Sequence, residues 1–136
     1  MERRAFLALT AAATLAPIAG YAAETLDYTP GLVKERLAAG ETVFIDFKAD
    51  WCTTCRTQER VIGALRAENA DYDAAITFIN VDWDEYGRGA LAHELNIPRR
   101  STLVVMKGDV ELGRTVAGTS REEIQALMDL GLAADS

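Results

Sequence analysis

The chain has 136 residues, and 49% of them are hydrophobic. This length suits one globular domain, and two cysteines with one histidine exclude a single-chain zinc site of four cysteines or of two cysteines and two histidines. The formal net charge of −7 argues against a general nucleic-acid binder, because such a protein needs a lysine and arginine surface to meet phosphates. We therefore expect no nucleic-acid partner.

The first 22 residues have the pattern of an export signal. Two arginines at positions 3 and 4 precede an uncharged, apolar run, and Gly20 and Ala22 are the small residues that predict cleavage after Ala22. The run RRAFL resembles the core of twin-arginine signals, so twin-arginine and Sec export both stay open. The apolar run is shorter than the ~20 residues of a membrane-spanning helix. We expect a mature domain over residues 23–136 in the periplasm or otherwise outside the cytoplasm.

The mature chain begins with a predicted helix and a predicted strand. Thr29 followed by Pro30 is typical of a helix N-cap and first turn, and Gly40 is a typical helix stop. The run TVFIDF, Thr42–Phe47, is nearly all apolar or β-favouring. Such a run predicts a strand that is covered on both faces.

The middle of the chain continues this alternation. Apolar residues at helical spacing predict a helix over about residues 52–68, and a polar break follows at 69–73. The run ITFINV, Ile76–Val81, predicts a second buried strand, and a short helix follows at Ala90–Leu95. This order is typical of a parallel strand–helix–strand unit with a right-handed connection.

The last third of the chain predicts a hairpin and a helix. The strands Thr102–Met106 and Val110–Val116 flank a turn at Gly108, which favours antiparallel pairing. Ser120 and Glu123 form a capping box that opens the terminal helix. The whole order predicts an α/β fold with a mixed four-stranded sheet and helices on both faces.

The chemistry is predicted where the first long strand turns into a helix. In the run WCTTC, Cys52 and Cys55 lie three residues apart, on one face of the first helical turn, so their thiols can close a small disulfide ring. Cys52 is the expected nucleophile because unpaired backbone N–H groups and the helix dipole lower a thiol pKa there. Cys55, one turn further in, is the expected resolving thiol. An inert disulfide and half of a metal site are the alternatives.

The segment FKADWCTTC, residues 47–55, resembles the active-site segment of the thioredoxin superfamily, and the element order extends the resemblance over about residues 26–132. It is especially similar to exported members such as the C-terminal thioredoxin-like domain of DsbD-type thiol:disulfide interchange proteins. The resemblance implies a thioredoxin fold and reversible dithiol/disulfide exchange without a bound organic cofactor. We expect a monomer whose partners are protein thiols and disulfides and a membrane electron donor.

Asp46 is the candidate general base. In a strand of alternating faces it shares a side with Phe44 and Lys48, so a solvated carboxylate is one interpretation. The apolar run around it favours burial instead, and burial raises a carboxyl pKa toward the value needed to accept a proton from Cys55. The resemblance adds that thioredoxins have an aspartate with this role at the matching position.

Three positions depart from the family pattern. Ser101 stands where thioredoxins have a cis-proline that faces the cysteines and contacts the substrate, and Pro98 lies three residues too early. Because a non-proline cis bond costs about 2.5–4 kcal/mol, we expect a trans bond at Ser101 and an altered substrate groove. Phe78 replaces a lysine that many thioredoxins place near the aspartate. Lys48 replaces a frequent aromatic residue; either it partly replaces the missing cation near Asp46 or, as the default expectation, it is solvated.

Other polar and aromatic residues have simpler interpretations. Trp51 is expected to flank the reactive thiol and to offer apolar surface to partners in the substrate groove. His93 is expected to be an exposed helix residue rather than a catalytic one. The acidic cluster of Asp82, Asp84 and Glu85 is expected to be solvated, since calcium needs more oxygen ligands at regular spacing.

Two functions are compatible with these observations. The leading one is an exported thiol:disulfide oxidoreductase. Thr53 and Thr54 lack the histidine of strongly oxidising members and the glycine-proline pair of cytosolic reductants, which favours a reductase or interchange role over a strong oxidase. The alternative is a dimeric metal or iron–sulfur protein, in which two chains contribute their cysteines and the missing proline at Ser101 leaves the space over the thiols less obstructed.

Overall fold

The computed structural model describes residues 24–135. Within this range the strands are β1 (Leu26–Asp27), β2 (Thr42–Lys48), β3 (Ile76–Asp82), β4 (Thr102–Lys107) and β5 (Val110–Val116). The helices in the same range are α1 (Leu32–Ala38), α2 (Thr53–Glu68), α3 (Asp71–Ala75), α4 (Trp83–Tyr86), α5 (Ala90–Glu94) and α6 (Arg121–Asp135). The alternation of strands and helices gives the predicted α/β class.

The strands form one mixed sheet in the order β1-β3-β2-β4-β5. β1 and β2 run parallel to β3, whereas β4 pairs antiparallel with β2 and with β5. The predicted parallel unit and the predicted hairpin are therefore confirmed. The count of four strands is wrong by one, because β1 joins the edge beside β3. Its two residues are too few to show an alternating pattern.

The sheet separates two apolar cores. On one face Phe44 and Phe78 pack with side chains of α2, α3 and α6, and on the other Ile45 and Phe47 pack with side chains of α1 and α5. Each large side chain buried in this way contributes roughly 1.5–3 kcal/mol relative to an exposed one. Because both faces are covered, every residue of β2 from Thr42 to Phe47 is buried.

Two local predictions about helices are wrong. α1 begins at Leu32 after Gly31, whose φ of +90° favours glycine, so Thr29 is not its N-cap. The Thr29 carbonyl accepts a hydrogen bond from the Leu32 amide in a turn before the helix. The polar break at 69–73 contains the start of α3, which is anchored by the buried ring of Tyr72. Packing of that ring outweighs the polar composition of the segment.

The terminal helix begins as predicted. The Glu123 amide donates a hydrogen bond of 3.2 Å to the Ser120 hydroxyl, which satisfies one of the unpaired donors of the first turn. None of the helices between residues 24 and 135 is long and apolar enough to span a bilayer. The predicted export signal, residues 1–22, lies outside the described residues.

Candidate active site

The dithiol lies at the junction of β2 and α2. Cys52 is the N-cap of α2, with an extended backbone, and its sulfur accepts a hydrogen bond of 3.2 Å from the Cys55 amide. This amide is one of the donors that a helix start leaves unpaired. Both cysteines are free thiols, and their exposed fractions are 3% for Cys52 and 0% for Cys55. The structure thus places Cys52 nearer to solvent and Cys55 behind it, as the spacing predicts.

Ser101 meets both sulfurs. Its hydroxyl oxygen lies 3.2 Å from the sulfur of Cys52 and 3.1 Å from that of Cys55. No peptide bond between residues 24 and 135 is cis, so the expected trans bond is confirmed. At the position of the missing proline the Ser101 hydroxyl therefore lies within hydrogen-bond distance of both sulfurs.

The backbone of Ser101 is fixed from three sides. Its amide donates to the carbonyl of Phe47 at the end of β2, and its carbonyl accepts from the amide of Ala117 after β5. The same carbonyl accepts a bond of 3.0 Å from the buried side chain of Gln58 on α2. Ser101 has a φ of +62°, which is uncommon for a residue other than glycine. The surrounding hydrogen bonds hold this strained conformation.

The two thiols have opposite pKa shifts. Burial disfavours the Cys52 thiolate, but hydrogen bonds from Cys55, Ser101 and Arg100 outweigh burial and lower the pKa of Cys52 to about 6. Burial and the adjacent Cys52 sulfur raise the pKa of Cys55. Near neutral pH one sulfur is therefore an anion and the other a thiol, which is the arrangement that a nucleophile and a resolving residue need.

Asp46 is buried, with 4% of its surface exposed, so the expectation of burial is confirmed. It lies on the face of β2 that α2 covers, beside a cleft of roughly 160 Å³ that Glu59 and Phe78 also line. Its Oδ1 atom has no hydrogen-bond partner within residues 24–135. Burial, assisted by the charge of Glu59 and opposed by Lys48, raises the pKa of Asp46 to about 7. The carboxyl can therefore accept a proton near neutral pH.

Lys48 acts as a cation near Asp46. The default expectation of a solvated side chain is wrong: 15% of the side chain is exposed, and it forms ion pairs with Glu59 and Asp50. Its charge lowers the pKa of Asp46, in agreement with the alternative that it partly replaces the missing lysine. Glu59 projects from α2, so the sequence of β2 alone did not reveal this partner. Phe78 stands at the position of the missing lysine, and the Arg66 guanidinium lies over its ring, 4.1 Å from the centroid.

Trp51 lies at the surface beside the dithiol, with 55% of the residue exposed. Its indole nitrogen donates to the carboxylate of Asp84 at 2.9 Å, and the Arg100 guanidinium lies 4.4 Å from its ring centroid. Asp82 accepts the Asp84 amide and caps α4, so two members of the acidic cluster have structural roles. His93 is exposed on α5.

Residues 26–130 match the family described as Thioredoxin. The chain belongs to the thioredoxin family. It is 30% identical over 105 residues to a thioredoxin H-type of Brassica oleracea, covering 77% of this chain and 80% of that protein. It is 29% identical over 97 residues to thioredoxin Asp f 28 of Aspergillus fumigatus, with coverages of 71% and 84%.

Solved structures agree in fold. The Malassezia sympodialis thioredoxin superposes with a TM-score of 0.68 and 23% identity, covering 81% of this chain and 92% of that one. The structure of Trxlp from Edwardsiella tarda superposes with a TM-score of 0.66 and 24% identity, covering 76% and 98%. With the family established, the chain is a thiol–disulfide oxidoreductase, and it contains the Cys52-X-X-Cys55 pair that such a protein needs.

Sequence reasoning missed three residues of this thioredoxin-family site. Gln58 follows Cys55 by one turn on the inner face of α2, and a polar residue within that apolar stripe was a usable signal of a buried hydrogen bond. Glu59 and Arg100 gave no such signal. Their positions depend on how α2 and the segment before β4 pack around the sheet, which no local pattern encodes.

Proposed function

We propose that the protein is an exported thiol:disulfide interchange protein that acts on the cysteines of other exported proteins. The observation that carries this proposal is the pair of matched groups at one site, a Cys52 thiol whose pKa is lowered to about 6 and an Asp46 carboxyl whose pKa is raised to about 7. The arginine pair and apolar run at the start of the chain support export. A kinship with DsbD-type domains belongs to the same proposal.

In the proposed reaction the Cys52 thiolate attacks one sulfur of a substrate disulfide. A mixed disulfide forms, and the other substrate sulfur leaves as a thiolate that takes a proton from water. Cys55 then loses its proton to the Asp46 carboxylate and attacks the Cys52 sulfur. The second substrate sulfur leaves, the substrate has gained two electrons, and a Cys52–Cys55 disulfide remains.

The proposed cycle closes when an electron donor reduces that disulfide. We propose a membrane protein with its own dithiol as this donor, and a monomer as the active form. Trp51 and Ser101 line the groove that receives the substrate in this proposal. Neither Thr53 nor Thr54 can stabilise a thiolate as a histidine does, which supports a reductase or interchange role.

Trapping tests the exchange reaction. The Cys55→Ser variant should accumulate mixed disulfides through Cys52, because the resolving thiol is missing, whereas Cys52→Ser should form none and lose all activity on a protein disulfide such as that of insulin. The readout is gel electrophoresis without reducing agent. Equal trapping by the two variants would contradict the assignment of roles. A coloured, iron-containing dimer purified without added metal would contradict the whole function.

Cell fractionation tests export. The full chain should lose its first 22 residues and appear outside the cytoplasm. Replacing the arginines at positions 3 and 4 by lysine should block export by a twin-arginine route and leave Sec export intact. An unprocessed protein confined to the cytoplasm would contradict the proposed location while leaving the exchange chemistry untouched.

A further inference from the structure

The Cys52 sulfur is surrounded by donors that come from two different parts of the chain. One is the Cys55 amide of α2, which any helix start would supply. The second is the Ser101 hydroxyl at 3.2 Å, in the segment before β4. Arg100, its neighbour in that segment, is stacked on Trp51 and also lowers the pKa of Cys52. This segment is where the chain departs from the family pattern, so the local environment of the sulfur is a property of this protein.

Arg100 stacks on Trp51 beside the dithiol. Its guanidinium lies 4.4 Å from the ring centroid of Trp51, and its buried Nε atom has no hydrogen-bond partner within residues 24–135. Stacking on an aromatic face restricts the guanidinium while leaving its N–H groups free to point toward an anion. The Arg100 side chain is among the groups that favour a thiolate at Cys52.

Hydrogen bonds hold Ser101 in an unfavourable backbone conformation. A φ of +62° is strained in a residue other than glycine, and such strain tends to occur at functional sites. The hydrogen bonds to Phe47, Ala117 and Gln58 impose this conformation. It is the conformation that carries the hydroxyl to within 3.2 Å of both sulfurs.

These donors act differently on the two redox states. In the reduced state Cys52 is an anion, and hydrogen bonds to an anion are roughly twice as strong as those between neutral groups. In the oxidised state the sulfur is neutral and bonded to Cys55, so it is a weak acceptor. The donors therefore stabilise the dithiol more than the disulfide. A dithiol that is stabilised in this way makes its disulfide a stronger oxidant.

We propose that Arg100 and Ser101 are positioning residues that stabilise the reduced dithiol and so raise the reduction potential of the Cys52–Cys55 pair. This inference rests on the proposed exchange function and deepens it. A raised potential lets the disulfide form accept two electrons from a substrate dithiol, which becomes a disulfide. The reduced form can then attack a wrongly paired disulfide. The substrate class that this fits is exported proteins whose disulfides must be rearranged, in addition to those that must be reduced.

The decisive measurement is the equilibrium of the purified mature protein with dithiothreitol. In Ser101→Ala, we expect the equilibrium constant for reduction of the Cys52–Cys55 disulfide to fall about tenfold, which lowers the potential by about 30 mV. Ser101→Gly should give the same fall, because it also lacks the hydroxyl but tolerates a positive φ. If the glycine variant kept the wild-type constant, backbone strain would be responsible and the proposal would be overturned.

A matched pair of arginines tests the second residue. Arg100→Gln should lower the same constant by about threefold. Arg99→Gln removes an equal charge from the neighbouring exposed residue, whose side chain donates to the Arg100 carbonyl and not to a sulfur, and should change the constant by less than twofold. Equal effects of the two variants would overturn the role of Arg100. A folded Ser101→Ala protein with a wild-type constant would overturn that of Ser101.

Alkylation gives a second readout that a purely structural role would not move. The rate of reaction of Cys52 with iodoacetamide should follow its thiolate fraction as the pH changes. The pH at the midpoint of this rate profile should be higher in Ser101→Ala and in Arg100→Gln than in the wild type. The ionisable groups that act on Cys52 are Cys55 on α2, Asp46 on β2 and Arg100. Because Cys55 is a second thiol, the rate profiles are also measured in a Cys55→Ser background, where Cys52 is the only thiol that can react. A wild-type protein inactive on protein disulfides would contradict the proposed function, while these constants would still test the inference.

Discussion

Cys52 at one end of the active site and Asp46 at the other have similar pKa values for opposite physical reasons. At the thiol end, hydrogen-bond donors from two segments converge on Cys52 and stabilise its charge, and the pKa falls from 9.0 to about 6. At the carboxyl end, Asp46 is buried beside the charge of Glu59, and the pKa rises from 3.8 to about 7. The first group is stabilised as an anion in the folded protein and the second is destabilised as one.

The difference shows what each end contributes to exchange. A thiolate that forms readily attacks and leaves readily, so donors are useful at Cys52. A carboxylate is a good proton acceptor only when its charged form is disfavoured, so desolvation is useful at Asp46. Cys55 has a raised pKa, so it needs an acceptor for its proton before it can attack.

The largest effect is expected on the pH dependence of stability in Asp46→Asn. The pKa of Asp46 is about 7 in the folded protein and near 3.8 in the unfolded one, so ionisation of this carboxyl favours the unfolded state. In the wild type this lowers the free energy of unfolding by nothing below pH 4 and by an increasing amount up to about pH 7. Above that pH the variant should be more stable than wild type by up to about 4 kcal/mol. Urea unfolding of the reduced proteins at pH 4 and pH 8 measures this. A difference independent of pH would refute it.

The same substitution should slow one chemical step. Asp46→Asn removes the proton acceptor, so resolution of the mixed disulfide by Cys55 should fall about 100-fold, within the usual range for general base catalysis. Attack by Cys52 should be nearly unchanged. Rapid-mixing measurement of the two phases separates these steps. Equal slowing of both steps would mean that Asp46 acts on Cys52 as well as on Cys55.

Gln58→Met should weaken the hydrogen bonding around Ser101 and Cys52 and leave the surroundings of Asp46 unchanged. The variant loses two hydrogen bonds of 3.0 Å, to the carbonyls of Ser101 and Gly118, and should lose about 2 kcal/mol of unfolding free energy. With Ser101 less firmly held, the pKa of Cys52 should rise. Arg60→Met, on the exposed side of α2, is the control and should be within about 0.5 kcal/mol of wild type. Equal losses in the two variants would contradict this role of Gln58.

The smallest effect is expected from Glu59→Gln, and it should fall mainly on the pKa of Asp46. Glu59 raises the pKa of Asp46 and pairs with Lys48, which lowers it. Removing the glutamate charge should therefore lower the pKa of Asp46. The pKa of Cys52 should change by less, because the interaction between Cys52 and Asp46 is the smallest of those acting on Asp46. Carbon-13 NMR titration of the Asp46 carboxyl gives the result. An increase in the pKa of Asp46, or a shift of equal size in that of Cys52, would contradict this prediction.

Much of the site follows from short-range pattern. Burial of Asp46 was predictable because the apolar run TVFIDF leaves no solvated face. The position of Ser101 opposite the cysteines was predictable from the resemblance, and its trans bond from the energy of the alternative. In contrast, the short strand β1 and the helix α3 were missed, since pairing with β3 and packing of Tyr72 decide them rather than local propensity.

The sequence by itself determined the redox pair. Residues three apart at a helix start share a face whatever surrounds them, so Cys52 and Cys55 had to lie together. Only the tertiary structure decided what stabilises their charges. Ser101 lies 49 residues from Cys52, and the antiparallel register of β4 on β2 brings it to the sulfurs. The packing of α2 likewise brings Glu59 to Lys48. Hydrogen bonds act over about 3 Å, so they depend on the packing of distant segments, which no local pattern specifies.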